Sequence, residues 1–292
     1  MSTEHTEHPP GCHRHPERPT GISCTRCERP ICTDCMIDAS VGFQCPDCVR
    51  GGSGTGHRPG ANAPRNLAGG VITADPHLVT KALIGVNAAV FLAALVVPGI
   101  VLPLELLGRY VEYWGGPVEG VSTGQWYRLL TSVFLHQEWW HVIGNLLGLW
   151  FLGTHLEEAL GRVRYLAVYL LSGLAGSALV YLVNAPNQGV LGASGAVFGL
   201  LGATVVQMRR ARYDMRPVLV WVVLMVVLSF TGSNTSWEAH VGGLAAGLVL
   251  GLGILYAPAK RRALVQWGTC AAVFLLVVVV VAVRTAELTA LV

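Results

Sequence analysis

Apolar residues along this chain come in seven runs near the length a bilayer demands, about 20 residues each. They lie at 79–101, 139–159, 165–184, 194–208, 217–231, 237–257 and 266–283. Their length and continuity predict membrane-spanning helices, because lipid leaves backbone groups no partner outside the segment. The first 70 residues differ: they are polar, cysteine-rich and lack the apolar core of a secretory signal. Three parts follow: a Cys/His module at 1–48, a flexible linker at 49–78 rich in Gly, Pro and Asn, and a membrane domain at 79–292. The fold class is an all-α polytopic membrane protein preceded by a small cytosolic module.

Composition agrees. Of 292 residues, 52% are hydrophobic and 13% charged, against roughly 25% charged in soluble domains. The net charge of +3 points to no nucleic acid or other polyanion partner. Alternate loops are basic: Arg162 and Arg164; Arg209, Arg210, Arg212 and Arg216; Lys260, Arg261 and Arg262. The opposite loops around 185–189 and 232–236 hold no Lys or Arg, and only Arg109, Arg128 and Arg284 run against the bias. Positive loops stay inside, so the N-terminus is expected in the cytoplasm and the C-terminus outside. The loop at 102–127 holds Tyr110, Tyr113, Trp114, Trp126 and Tyr127, which suit the outer headgroup layer.

The polar module carries Cys12 and His15, Cys24 and Cys27, Cys32 and Cys35, Cys45 and Cys48. These are four pairs with two-residue spacers, which let both side chains grip one tetrahedral ion. Eight ligands make two zinc sites. A disulfide framework is the rival, but thiols stay reduced in the cytosol. Full coordination leaves no open position, so the ions are expected to be structural. A module this short needs metal for folding energy. His13 is a surplus ninth candidate, and Cys270 reads as a small buried apolar residue. The pattern resembles B-box and RING-like fingers. That resemblance implies that Cys12, His15, Cys32 and Cys35 share one ion and Cys24, Cys27, Cys45 and Cys48 the other, with sequential pairing as the alternative.

The membrane domain carries its own chemistry. Gly192-Ala193-Ser194-Gly195 sets a serine at a helix start, and His240 stands in a later apolar run. Intramembrane ionisable residues default to function. From Ser194 to the charges at Arg209 the helix spans only about 22 Å at 1.5 Å per residue, so it starts below the outer surface. His240 lies about 27 Å from Pro258 by the same rise, at a matching level. Asn187 to Ala193 must then descend as irregular backbone, tolerated only inside protein or beside water. Gly243 and Gly247 share the face of His240, and Gly195, Gly199 and Gly202 line the serine helix. Two small-residue stripes let the helices meet closely. His141 and Asn145, four apart on one face, and the backbone N–H of Ser194 are candidate oxyanion donors. No acidic residue stands where it could orient His240, which leaves a Ser–His dyad. Glu157 and Glu158 read as structural partners of arginines or backbone.

With these residues in view, the chain resembles the rhomboid intramembrane serine proteases over residues 80–257. The shared motifs are Gln125-Trp126-Tyr127-Arg128; His136, His141 and Asn145; Gly192-Ala193-Ser194-Gly195; and Ala239-His240 with Gly243 and Gly247. The resemblance implies a six-helix core, with 266–283 as a seventh helix. It implies Ser194 as nucleophile, His240 as base, His141 and Asn145 in the oxyanion hole and a supporting role for His136. Catalysis would need no cofactor. The substrate would be a transmembrane protein cut near the outer leaflet, and the zinc module is a candidate site for a cytosolic protein partner. Some relatives carry another histidine where this chain has Ser132, a position outside the dyad. Two rivals remain. An intramembrane metalloprotease needs histidines four apart with glutamate beside the first; His136 and His141 are five apart and Glu138 is misplaced. A catalytically silent rhomboid-like scaffold would not need both Ser194 and His240.

Overall fold

The computed structural model describes residues 9–39, 41–50, 65–70, 75–230 and 236–290. The chain divides into two compact units, Met1–Pro64 and Arg65–Val292.

The first unit has little regular structure. Strands β1 (Ile37–Asp38) and β2 (Phe43–Gln44) pair antiparallel, with Ile37 opposite Gln44. Helix α1 (Pro46–Arg50) follows. Its interior is mostly sulfur: Cys12, Cys24, Cys32, Cys35 and Cys45 are buried around Ile31.

The second unit is helical. Its long helices are α2 (Leu78–Val96), α5 (Trp139–Leu160), α6 (Arg162–Val183), α7 (Ser194–Arg210), α8 (Arg216–Ser229), α9 (Trp237–Leu255) and α10 (Arg262–Ala290). The short α3 (Val101–Leu104) and α4 (Arg128–Thr131) lie between α2 and α5. Four of the described segments are long and apolar enough to cross a membrane: Leu78–Val96, Arg162–Val183, Trp237–Leu255 and Ala259–Ala290. Helix α5 has the length but spends positions on His141, Asn145, Glu157 and Glu158, and α7 has only 17 residues.

Helices α6, α7 and α9 form the centre, packed backbone to backbone through glycines. A Cβ on Gly243 would overlap the Gly195 carbonyl, and one on Gly247 the Gly199 carbonyl. A Cβ on Gly202 would sit 2.6 Å from Leu244 O, and one on Gly176 2.7 Å from Ala239 O. Small residues take this place in membrane proteins because lipid gives apolar side chains no drive to pair, so close contact must supply the attraction.

Several boundaries differ from the sequence reading. The first span ends at Val96 rather than residue 101: Val97 leaves the helical region (φ −123°, ψ 80°) ahead of Pro98, because proline disfavours helical backbone in the residue before it. The last helix runs on to Ala290. Its final turns are held by Arg109 Nη1 donating to Leu288 O (2.9 Å) and by Arg284 pairing with Glu287 (3.1 Å). Most of the linker expected at 49–78 lies outside the described residues. Arg50 closes α1, and residues 65–70 form a closed loop in which Ala68 is 1% exposed.

The three arginines that oppose the charge bias are all engaged internally. Arg109 caps α10. Arg284 donates to Tyr181 O. Arg128 is fully buried and donates to Leu102 O, Glu105 O, Gln125 Oε1 and Glu119 Oε2. It thus fastens the loop that bears the hairpin β3 (Tyr110–Val111) and β4 (Val118–Glu119). Glu157 is 1% exposed and accepts from Val79 N, Thr80 N and Thr80 Oγ1 at 2.8–2.9 Å, so its carboxylate caps α2. Glu158 meets His77 at 2.7 Å. Glu157 thus takes backbone partners, while Glu158 pairs with a histidine side chain rather than with arginine or backbone.

Candidate active site and metal sites

The stretch before Ser194 is irregular backbone, and its polar groups find partners within the protein. Gly108 N and Arg109 N donate to Pro186 O. Leu106 and Val190 exchange both backbone hydrogen bonds, at 2.9 and 3.0 Å. Gly192 N donates to Ser132 O at 2.9 Å. Ala193 N points at His136 Nε2 from 3.5 Å. Ser194 then opens α7, where helix geometry supplies its N–H with no acceptor.

Gly192 adopts φ +128°, and a Cβ there would come within 2.7 Å of the His141 ring. Only glycine lets that imidazole lie against the turn carrying the serine. From α9, Ala239 O lies 3.1 Å from where a Cβ on Gly195 would stand. The chain neighbours of Ser194 and His240 are therefore in close approach. The His240 imidazole stacks on Phe198, with centroids 4.0 Å apart and planes 7° apart. Phe198 follows Ser194 by one helical turn, so the helix bearing the serine also sets the plane of the histidine.

One cavity of about 850 Å³ is lined by Ser194, His240, His141, Asn145, Gly192 and Glu238, among others. His136 lies just behind it, fully buried, with its ring centroid 5.1 Å from that of His141. Asn145 Nδ2 lies 3.1 Å from His136 Nε2 and donates to His141 O at 3.2 Å. His136 precedes α5, and burial, with a smaller contribution from His141, holds its pKa down to about 4. It is neutral at pH 7 and can offer Nε2 as an acceptor.

The arrangement brings together every candidate of the membrane domain and adds two residues that sequence reasoning missed. Phe198 carried one signal, its i+4 spacing from Ser194. Ser236 caps α9: its Oγ accepts from Ala239 N and donates to Glu238 Oε2 at 2.9 Å. That fixes the turn from which His240 projects.

In the first unit, the eight expected ligands gather into two groups: Cys12, His15, Cys32 and Cys35, and Cys24, Cys27, Cys45 and Cys48. In each, the four ligand atoms lie within 4.8 Å of one another. Alternate pairs share a group, as the finger resemblance implies, and sequential pairing is not what the fold provides. No cysteine among the described residues is in a disulfide. His13 belongs to neither group and sits beside Arg29 at 2.7 Å.

The electrostatics fit a cation. Burial opposes ionisation of Cys12 and Cys24, but backbone N–H groups around each sulfur outweigh it and bring both to about 6. Burial and neighbouring thiolates push Cys35 up to about 11 and Cys48 up to about 12. A divalent ion would relieve that crowding of negative charge. Soft thiolate donors with one imidazole, four to a site, suit zinc.

Residues 123–257 match the Rhomboid domain family. The chain is 33% identical over 136 residues to "Putative rhomboid protease YdcA" of Bacillus subtilis, covering 45% of this chain and 68% of that protein. It is 35% identical over 132 residues to "Rhomboid protease GluP" of the same organism, covering 44% of this chain and 26% of that one. With "Rhomboid protease AarA" of Providencia stuartii it shares 25% over 214 residues, 63% of this chain and 75% of the relative. The chain belongs to the rhomboid family of multi-pass, all-α membrane proteins.

Proposed function

We propose that this protein is an intramembrane serine endopeptidase that cuts transmembrane-helix substrates with a Ser194–His240 dyad. The observation that carries the reading is the single cavity shared by Ser194, His240, His141 and Asn145. Relatives named as rhomboid proteases support it.

His240 takes the proton of Ser194 Oγ as that oxygen attacks a substrate carbonyl. Stacking on Phe198 fixes the plane of the imidazole, so the base starts oriented. The oxyanion that forms is met by the Ser194 N–H, His141 and Asn145. Both amide protons of Asn145 are engaged in the resting site, with His136 and with the His141 carbonyl. One is redirected as charge develops, in keeping with catalytic hydrogen bonds that tighten only around the reacting group. His240 then protonates the leaving amine, and water releases the acyl-enzyme.

The substrate must expose a peptide bond. A helix hides its carbonyls in internal hydrogen bonds, so substrates with small or helix-breaking residues near the cut are favoured. The charge bias supports a cytoplasmic N-terminus, an external C-terminus and a cut toward the outer leaflet. The two Cys/His groups hold structural zinc and contribute folding energy to a module at 1–48; they supply no catalytic step. That module is a candidate docking point for a cytosolic protein.

A fluorophosphonate probe tests the nucleophile. Covalent labelling of folded wild type at Ser194, absent in Ser194→Ala and in heat-unfolded protein, is expected. Folded protein that resists labelling would point to a scaffold instead.

A further inference from the structure

The basic end of the helical unit, opposite the start of α7, carries a structure the proteolytic reading does not use. Residues Arg65–Gly70 close on themselves: Asn66 N donates to Gly70 O, Gly69 N to Asn66 O, and Gly70 N to Asn66 Oδ1, all at 2.8–2.9 Å. Arg65 Nη1 adds a bond to Gly69 O at 3.1 Å. The loop is docked. Ala68 packs within the main apolar core, and its N–H donates to Ala159 O at 3.1 Å, a carbonyl in the last turn of α5.

From the other side, Gln266 of α10 is 1% exposed and fully used. Its Nε2 donates to Ala68 O (3.1 Å) and to Ile254 O (2.9 Å), the latter in the last turn of α9. Its Oε1 accepts from Arg164 Nε of α6 at 2.8 Å. Glycine is required where the loop and the helix turn meet. Gly69 has φ +85°, and a Cβ there would overlap the Arg262 guanidinium. Gly161 has φ +78°, and a Cβ there would stand 2.8 Å from Asn66 Nδ2.

Helix ends leave carbonyls and N–H groups without internal partners. Here one six-residue loop and one glutamine join the ends of four helices. We propose that Arg65–Gly70 is a clasp, a docking peptide supplied by the chain itself that locks the α5–α6 and α9–α10 pairs together at their basic ends. α5 carries His141 and Asn145, and α9 carries His240. The clasp therefore ties the two elements whose spacing sets the site.

Hydrogen–deuterium exchange of the full chain in lipid reads the clasp without any variant. The amides of Asn66, Ala68, Gly69 and Gly70 all donate within it, so residues 66–70 should be protected. Ala68→Glu should expose them and speed exchange at the ends of α5 and α9 on the order of tenfold, the change for about one lost buried hydrogen bond. Leu67→Glu is the control, since Leu67 is 45% exposed, and should match wild type. If Ala68→Glu fails to fold, Gln266→Leu removes the polar bridge at nearly constant volume and should loosen the same ends. Wild-type exchange at the unprotected rate over 66–70, or identical behaviour of Ala68→Glu and Leu67→Glu, would overturn the clasp.

Its influence on the site rests on the proteolytic reading and is read separately. Gln266→Leu should lower kcat with KM little changed, while Leu67→Glu should not. Loosened helix ends with kcat intact would overturn that coupling. Wild type that cleaves nothing would strike the proteolytic reading and leave the exchange result standing.

Discussion

Phe198 lies flat against His240, ring centroids 4.0 Å apart and planes within 7° of parallel. The same helix turn that places Ser194 thus presses an aromatic face on the imidazole. An aromatic pair is worth about 0.5–1.5 kcal/mol beyond its buried area. Phe198→Ala should therefore lower kcat by about two- to tenfold with KM nearly unchanged, and Phe198→Tyr should retain the rate. Steady-state cleavage kinetics check this; an unchanged kcat in Phe198→Ala would show that the stack does not orient the base.

The glycine seam between α7 and α9 leaves no room for a methyl. Gly247→Ala should force the helices apart at a cost of about 1–3 kcal/mol, the usual range for overpacking. Thermal melting in detergent should show a lowered transition. Gly85, with no atom within 4 Å of an added Cβ, is the matched control, and Gly85→Ala should melt like wild type.

Glu157 holds three donors at the start of α2 from 77 or more residues away in sequence. Glu157→Ala leaves them buried and unmet, which costs about 1–3 kcal/mol. Reduced melting temperature and faster exchange in the first turn of α2 are expected. Glu157→Gln keeps one acceptor oxygen and should fall between the two.

Elemental analysis should find two zinc ions per chain. Cys24→Ser should remove one and spare the other, because Cys12, His15, Cys32 and Cys35 form a separate group. Low pH should release metal. Without metal the thiols of Cys12 and Cys24 are depressed to about 6; a bound ion competes with the proton and moves loss of the thiolates to lower pH. Metal content that does not fall as pH is lowered would contradict the ligand assignment.

Much of the site was legible in the sequence because membrane burial makes polar residues conspicuous. Ser194 and His240 stand out against apolar runs, and their glycine stripes show which faces meet. The Cys/His pairs announce themselves by spacing, though spacing alone leaves open which pairs share a group. What stayed hidden depends on partners distant in sequence. Residues 65–70 have the composition of a linker, and nothing in Asn-Leu-Ala-Gly-Gly signals that Ala68 meets Ala159 and Gln266. Glu157 reads in sequence as a partner of either arginine or backbone, and the choice depends on α2 starting against it. The last turns of α10 carry Arg284 and Glu287, which break the apolar run; their bonds to each other and to Tyr181 O keep the helix going.

The most direct test of the central claim is cleavage of a tagged model transmembrane substrate by purified protein in liposomes. Wild type would run beside Ser194→Ala and His240→Ala, each shown to be folded. The dyad predicts cleavage by wild type and none by either variant. Cleavage that persists in folded Ser194→Ala would contradict it.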